Sequence, residues 1–475
     1  MNRMVVGRRG RQSSPSEDGT TLPWYASLRP VFEPGHQIAL LQNGTEFFAA
    51  LETSIDQAHR SVHLETYIFG EDASATRIAA ALARAAHRGL QVRLLVDGYG
   101  TPQLRGEVAT LLNSAAVAVR SFRPLGAAGF IQRQRLRRMH RKLALIDGER
   151  AFVGGINILD DYIDPNHGVL DQARLDFAVV VIGPLVARVA LAMRRLWAEQ
   201  AWRAHDLSAD QAEPLPGPHD RRGGREGYDE QPGPLAEQHE QSGSFPGRHE
   251  QLGLFEGQHV QPRVLASSSE ATPADSGRDA PPHGIVAALA IRDNFRHRRS
   301  IERAYLRAIR QARREILIAC AYFFPGERLR SALVRAASRG VRVRLLLQGR
   351  VEYRLAHYGT QALYDSLLAS GVEIIEYQSS LLHAKVAVID DWATVGSSNI
   401  DPFSLLLARE ANVLVKDADF AALLRARLQS AIDEGGAPVR LEHWKNQPWW
   451  ARLAQRVGFM ALRLGVAISG RGMRY

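Results

Sequence analysis

The sequence predicts a mixed α/β protein of two tandem sandwich domains created by internal duplication. Three observations carry that expectation. The segment Gly89-Leu-Gln-Val-Arg-Leu-Leu-Val-Asp97 returns as Gly340-Val-Arg-Val-Arg-Leu-Leu-Leu-Gln348, the mark of a long internal repeat. Each copy follows an amphipathic helical pattern, Ser74 to His87 and Leu329 to Ser338, and each of those follows an apolar strand pattern, Val62 to Phe69 and Ile316 to Phe324. Strand and helix alternating in this order build α/β layers. The 475 residues, 45% apolar and 23% charged, leave room for two or three self-sufficient cores at roughly 150 residues each.

From the N-terminus, residues 1–33 read as a basic, disordered tail and residues 34–204 as the first domain. Residues 205–284 hold 10 of the 22 prolines and 11 of the 40 glycines, with no tryptophan or isoleucine. Such a stretch cannot offset its ordering entropy and is expected to be a disordered linker. Its ten-residue period at His239, His249 and His259 is explained by sequence duplication more simply than by metal binding. Residues 285–440 form the second domain, and residues 441–475 a basic amphipathic segment.

Composition narrows the function classes. The single cysteine, Cys320, excludes an internal disulfide and a thiolate-rich zinc site. No apolar run approaches the roughly 18 to 20 residues that span a bilayer, and the N-terminus lacks the apolar stretch of a signal peptide, so a soluble or peripheral, cytosolic protein is expected. The net charge of +10 points to an anionic partner: phospholipid headgroups, nucleic acid or a phosphorylated small molecule. Only four of the 60 basic residues are lysines, namely Lys142, Lys385, Lys416 and Lys445. A lysine kept in so arginine-biased a chain marks a place where a compact ammonium matters.

Two of those four lysines sit in matching clusters. The first reads His140-Arg-Lys142-Leu-Ala-Leu-Ile-Asp147 followed by Gly154-Gly155-Ile-Asn157; the second reads His383-Ala-Lys385-Val-Ala-Val-Ile-Asp390 followed by Gly396-Ser397-Ser-Asn399. The apolar run after each lysine makes a strand, and residues i and i+2 on a strand share a face, so histidine and lysine point the same way. Asp147-Gly148 and Asp390-Asp391 read as tight turns into a second short strand that ends in small residues, where backbone can approach a ligand closely. Each asparagine adds an amide donor. A lone His-x-Lys is usually an ordinary solvated or core pair, but two copies with the same aspartate, small-residue and asparagine spacing are not a chance arrangement.

This double His-x-Lys-x4-Asp pattern resembles the signature of the phospholipase D superfamily. The likeness runs over both halves and leaves out the tails and the linker. The second half resembles bacterial cardiolipin synthases of the cardiolipin synthase B type, on Arg292-Asp-Asn-Phe-Arg-His-Arg298, Ile301-Glu-Arg-Ala-Tyr305, Ala321-Tyr-Phe-Phe-Pro-Gly326, Gly349-Arg-Val-Glu-Tyr353 and Gly396-Ser-Ser-Asn-Ile-Asp-Pro-Phe-Ser404. Cys320-Ala321 departs from the Thr-Pro that related synthases often carry there. The resemblance implies two phospholipase D-like α/β sandwich domains with the active site at their interface. It implies His140 as nucleophile and His383 as acid and base, although the near-symmetry of the motifs leaves that assignment open to the sequence. It also implies that each imidazole pairs with a carboxylate of the opposite half.

The chemistry fits the residue types. An imidazole held by a carboxylate is a neutral nucleophile near pH 7, and a second, protonated imidazole can hand its proton to a departing alkoxide. Lys142, Lys385, Asn157 and Asn399 would surround the non-bridging phosphoryl oxygens. Asp147 and Asp390 belong to the motif, but their turn position makes their role mainly structural. Better orienters are Asp176, opening the strand pattern Asp176 to Ile182, and Glu410, opening the corresponding strand pattern Ala411 to Val415. The first half places eight more residues between its asparagine and this carboxylate than the second does. No metal and no other cofactor is expected. Arg133, Arg135, Arg137, Arg138 and Arg141 lie around His140; they form either a solvated charged face or a phosphate-steering entrance, the steering role falling to Arg137 and Arg138.

The segment from His443 to Tyr475 holds no acidic residue but carries Trp444, Trp449, Trp450, six Lys/Arg and apolar residues such as Leu453, Val457, Met460, Leu464 and Ile468. That pattern suits either a helix lying in the headgroup layer of an anionic membrane or a terminal helix packed on the domain. Composition and spacing reach phosphodiester transfer near an anionic surface. The resemblance implies a phosphatidyltransferase that makes cardiolipin and glycerol from two phosphatidylglycerol molecules, peripheral on the cytoplasmic side of the cell membrane. No nucleic acid or protein partner is expected. A phospholipase D-like hydrolase, a metal-independent nuclease and a catalytically silent membrane or nucleic-acid binder are the alternatives.

Overall fold

In the computed structural model, which describes residues 27–124, 137–164, 167–203, 284–293, 297–401 and 408–469, the two halves build one sheet together. The first half runs β1 (Glu33–Gln42), α1 (Asn43–Asp56), β2 (Ser61–Thr66), α2 (Ala73–His87), β3 (Gln91–Asp97), α3 (Gly106–Ser114), β4 (Ala118–Phe122), β5 (Lys142–Ile146), β6 (Arg150–Gly154), the short pair β7 (Ile163–Asp164) and β8 (Gly168–Val169), β9 (Phe177–Ile182) and α4 (Leu185–Arg203). The second runs β10 (Ile285–Arg292), α5 (Ser300–Gln311), β11 (Glu315–Cys320), α6 (Glu327–Ser338), β12 (Arg342–Gln348), α7 (Arg354–Gln361), α8 (Tyr364–Leu368), β13 (Glu373–Tyr377), β14 (Lys385–Ile389), β15 (Trp392–Gly396), β16 (Glu410–Lys416), α9 (Ala418–Gly435), β17 (Gly436–Pro438), α10 (Leu441–Lys445) and α11 (Trp449–Ser469).

Strand order is β4-β3-β2-β5-β6-β9-β1 in the first half and β13-β12-β11-β14-β15-β16-β10 in the second, the same path walked twice. The repeated segments are β3 and β12, each pairing in parallel with the strand before its helix: β2 with β3, and β11 with β12. The intervening helices, α2 and α6, supply the crossovers that parallel neighbours require. Both end where Gly89 and Gly340 adopt φ +84, a backbone state that L side chains resist. At the N-terminus of α2, Asp72 accepts from the Ala75 N–H at 2.9 Å. Antiparallel pairing of β1 with β10, through Glu33↔Ala287 and His36↔Ile285, joins the two halves, and β17 caps the far edge beside β13.

Alternation along the strands sorts the core into layers. Leu143, Leu145, Val153 and Val179 on one half share a cluster with Val386, Val388, Val395 and Val413 on the other, covered by α4 and α9. The opposite strand faces carry Ala144 and Ile146 against α1 and α2, and Ala387 and Ile389 against α5 and α6. Each leucine, isoleucine or valine among them, fully withdrawn from water, contributes about 1.5–3 kcal/mol. The inner faces of the two sandwiches therefore form the joint that positions the site.

One boundary needs correction. The expected tail of residues 1–33 reaches too far, because Leu28 is buried in the central core and Glu33 both opens β1 and pairs with Arg188 at 3.0 Å. Residues 1–26, the expected linker apart from Gly284, and residues 470–475 lie outside the described residues.

Candidate active site

The segments entering β5 and β14 are held by the same device. At the end of β3, Asp97 Oδ2 accepts from the Met139 N–H (2.7 Å), and at the end of β12, Gln348 Oε1 accepts from the Leu382 N–H (3.0 Å). The next residue is the histidine in each case. Sequence reasoning missed Asp97 and Gln348 as positioning residues. The signal was present, since the two repeated segments end on this pair of polar side chains.

Backbone bridges then cross between the halves. His140 N donates to Arg409 O (3.0 Å) and Arg409 N to Arg138 O (2.8 Å); His383 N donates to Leu175 O (2.8 Å) and Leu175 N to Leu381 O (2.9 Å). Each bridge sets the following residue, Glu410 or Asp176, beside the imidazole of the other half. His140 Nδ1 lies 3.1 Å from Glu410 Oε1, and His383 Nδ1 lies 2.6 Å from Asp176 Oδ2. A carboxylate at Nδ1 fixes the tautomer and turns Nε2 away from it, as a nucleophile or acid requires.

The carboxylates are seated differently. Ser397 Oγ donates to Glu410 Oε2 at 2.5 Å, whereas the matching Gly155 leaves room for Asp176, whose Oδ2 would stand 2.7 Å from a Cβ there. Asp176 Oδ1 also accepts from the Phe177 N–H (2.8 Å). Sequence reasoning did not single out this exchange of Ser397 with Glu410 for Gly155 with Asp176.

The lysines and asparagines are equally constrained. Lys142 Nζ donates to His140 O at 2.7 Å, and Lys385 Nζ donates to His383 O and stands 4.0 Å from Asp176 Oδ2. Asn157 Oδ1 accepts from the Ile68 N–H (3.2 Å) and Asn399 Oδ1 from the Tyr322 N–H (3.4 Å), leaving each Nδ2 as the end that can donate to a ligand. The Tyr67 ring stands 4.9 Å from that of His140.

Burial governs the charges. It is the main cause lowering both imidazoles, with His383 well below the usual value and Lys385 and Lys142 adding to the effect. Burial brings Lys142 down to about 7 and lowers Lys385, and it pushes Asp176 up to about 6. Two buried ammonium groups facing two imidazoles suit an anionic phosphodiester, which would supply the charge the cavity lacks. Among the described residues, no group of three or more His, Cys, Asp or Glu side chains is placed to hold a metal ion.

Other expected residues fall elsewhere. Asp147 and Asp390, members of the His-x-Lys-x4-Asp motif whose turn position predicts a mainly structural role, stay out of the cluster. Asp147 accepts from the N–H groups of His59, Arg60 and Ser61 (each 2.8 Å), and Asp390 from those of Arg313, Arg314 and Glu315 (2.8, 3.0 and 3.0 Å). Each sits in left-handed backbone, φ 54 and 50, which aspartate tolerates better than most residues. Phosphate steering by Arg138 is also corrected. Its guanidinium pairs with Asp97 at 2.7 Å and donates to the carbonyls of Phe122 and Arg123, so it braces the loop. Arg141 is buried and donates to Glu65 Oε1 (2.8 Å). Arg137 is half-buried at the edge of this segment, and Arg133 and Arg135 lie outside the described residues.

A cleft of about 250 Å³ opens beside His383, lined by Tyr67, Asn157, Asp164, Arg174 and Glu352 among others. To one side, α11 packs on α7, with Leu462 against Gly359. Its outer face exposes Trp449, Trp450, Leu453, Val457, Met460 and Leu464. No helix among the described residues is long and apolar enough to cross a membrane.

Comparison with known proteins places these features. A family model described as "Cardiolipin synthase, PLD-like domain" matches residues 51–171 and 305–432. Cardiolipin synthase B of Salmonella typhi is 36% identical over 437 residues, covering 92% of this chain and 90% of that protein. Cardiolipin synthase B of Escherichia coli K12 is 34% identical over 449 residues, covering 93% and 92%. The crystal structure of phosphatidylserine synthase from Haemophilus influenzae Rd KW20 superimposes with a TM-score of 0.59 at 12% identity, covering 93% of this chain and 97% of that one, and so shares its fold.

Proposed function

The chain belongs to the cardiolipin synthase family of phospholipase D-like enzymes, and from that premise we propose that it joins two phosphatidylglycerol molecules into cardiolipin, releasing glycerol, through a phosphatidyl-histidine intermediate. The observation that carries this reading is the crossed pair of imidazoles, each held at Nδ1 by the other half's carboxylate, beside two buried lysines. In the first step His140 Nε2 attacks phosphorus and the phosphorus–oxygen bond to the headgroup glycerol breaks. His383, protonated once the anionic phosphodiester is bound, gives its proton to that oxygen, and glycerol leaves. In the second step neutral His383 takes the proton from a hydroxyl of the second phosphatidylglycerol, whose oxygen attacks phosphorus and displaces His140. Lys142, Lys385 and the two asparagine amides stabilise the charge that grows on the non-bridging oxygens.

The enzyme works as a peripheral protein on the cytoplasmic face of an anionic membrane. The exposed tryptophans and apolar residues of α11, interleaved with Arg452, Arg456 and Arg463, support that placement. The test incubates purified protein with phosphatidylglycerol vesicles in chelator, resolves the lipids by mass, and runs His140→Ala alongside. Cardiolipin with stoichiometric glycerol, absent in the variant, is the expected result. Phosphatidic acid alone means that water is the acceptor and refutes the transferase; no lipid product at all refutes the lipid substrate.

A further inference from the structure

The duplication supplies an internal control for asking which polar groups the fold needs and which the reaction needs. The turn after β3 and the turn after β12 both begin on a glycine that donates to the neighbouring strand, Gly98 to Phe122 O (2.9 Å) and Gly349 to Tyr377 O (3.0 Å). Three residues on, the halves diverge. Thr101 in the first half ties its hydroxyl to the backbone, accepting from Phe69 N (2.8 Å) and donating to Tyr67 O (3.1 Å). The second half has Glu352 there, and Glu352 lines the cleft beside His383.

A matching difference faces it. The backbone N–H capped by Asn157 belongs to Ile68, and the one capped by Asn399 belongs to Tyr322. Tyr322 uses its hydroxyl to donate to Glu352 Oε2, and its ring leans on Tyr353 with centroids 5.9 Å apart. An apolar residue and a backbone-bound threonine thus serve the fold in one half, while the other keeps a tyrosine–carboxylate pair at the same two positions. The ring of Tyr67 stands 4.9 Å from that of His140. Among the described residues, the cleft that this carboxylate lines opens beside His383.

We propose that Glu352, positioned by Tyr322, is the specificity-determining residue for the alcohol: it accepts a hydrogen bond from a polyol headgroup and so selects glycerol-type alcohols over monohydroxyl ones. This rests on the transfer reaction proposed above. Tyr322 occupies Oε2 and leaves Oε1 to the cleft, so a polyol can anchor one hydroxyl on the carboxylate while another meets His383. An alcohol with a single hydroxyl can satisfy His383 or Glu352, but not both. In the same way the departing glycerol is held where His383 protonates it. A half-buried acceptor left without its hydroxyl is what makes the wrong alcohol costly.

The test supplies deuterated glycerol and ethanol together to full-length enzyme on phosphatidylglycerol vesicles and reads the ratio of labelled phosphatidylglycerol to phosphatidylethanol. Glu352→Ala is expected to lower that ratio about tenfold, and Tyr322→Phe, which keeps the ring but frees the carboxylate, about threefold. A ratio unmoved in both variants overturns the inference, whatever happens to the total rate. Should Glu352→Ala fail to fold, an unmoved ratio in Tyr322→Phe overturns it alone. Wild-type enzyme that forms neither product overturns the transfer reading and this inference with it.

Discussion

Gly155→Ser is the most informative single change, because it writes into the first half the residue that the second half already carries as Ser397. In the second half the hydroxyl holds Glu410 at 2.5 Å. In the first half a Cβ at residue 155 would stand 2.7 Å from Asp176 Oδ2, 2.8 Å from its Cγ, and closer still to Oδ1. Ordinary contact begins at 3.4 Å, so the carboxylate must retreat by about 0.7 Å at Oδ2 and further at Oδ1. A retreat of that size along the bond to His383 Nδ1 stretches it from 2.6 Å to about 3.3 Å, beyond the usual range for such a bond. A displacement of about 1 Å in a positioned catalytic group costs on the order of a hundredfold in rate. The reverse change, Ser397→Gly, removes one charge-assisted hydrogen bond worth about 1.5–3 kcal/mol without any clash. The assay is initial-rate cardiolipin formation, with thermal unfolding as the control for folding. Gly155→Ser should lose about a hundredfold in kcat and at least as much as Ser397→Gly. Retention of activity within threefold of wild type in a folded Gly155→Ser protein would refute the reasoning.

Three further outcomes follow from the same geometry. With Lys142 titrating at about 7 and Asp176 at about 6, kcat/KM should fall below about pH 6, as the carboxyl that orients His383 takes up a proton, and again above about pH 7, as the ammonium is lost. Lys142→Arg, whose cation does not titrate, should shift the alkaline limb upward even at reduced rate, and a pH–rate profile in which that limb stays put contradicts the assignment. Arg141→Leu strands the buried Glu65 carboxylate and should cost about 3–5 kcal/mol in urea unfolding, whereas the double change Arg141→Leu with Glu65→Leu should recover most of it. Replacing Trp449 and Trp450 together with alanine should weaken cosedimentation with phosphatidylglycerol vesicles about tenfold or more while leaving binding salt-sensitive through the helix arginines; undiminished binding would remove α11 as the membrane contact.

The periodic parts of the molecule were legible and the convergent parts were not. β3 and β12, their preceding helices and the strands opening at Lys142 and Lys385 announce themselves, because burial on both faces demands strongly apolar segments and the duplication prints each segment twice. The resemblance implied that carboxylates and histidines cross between the halves, but the pairs lie 270 and 207 residues apart, and no local pattern fixes such a distance. Arg138 was misread because a run of arginines looks the same whether it faces water or a buried aspartate such as Asp97. Glu352 and Tyr322 stood inside the resembling segments without a role, since only the fold shows that they stand where the first half has Thr101 and Ile68. Leu28 lay outside the expected domain because one apolar residue beyond a basic tail carries no periodicity to reveal its burial.

The exchange of partners between the halves also makes the site an inspector of its own assembly. His140 has no carboxylate until Glu410 arrives at the end of the chain's second half, and His383 has none unless Asp176 is already seated in the first. A ribosome-bound or half-unfolded chain therefore carries no armed imidazole. Reactivity toward phosphodiesters switches on only when both sandwiches have closed on each other. An enzyme built this way stays silent in every incomplete form of itself.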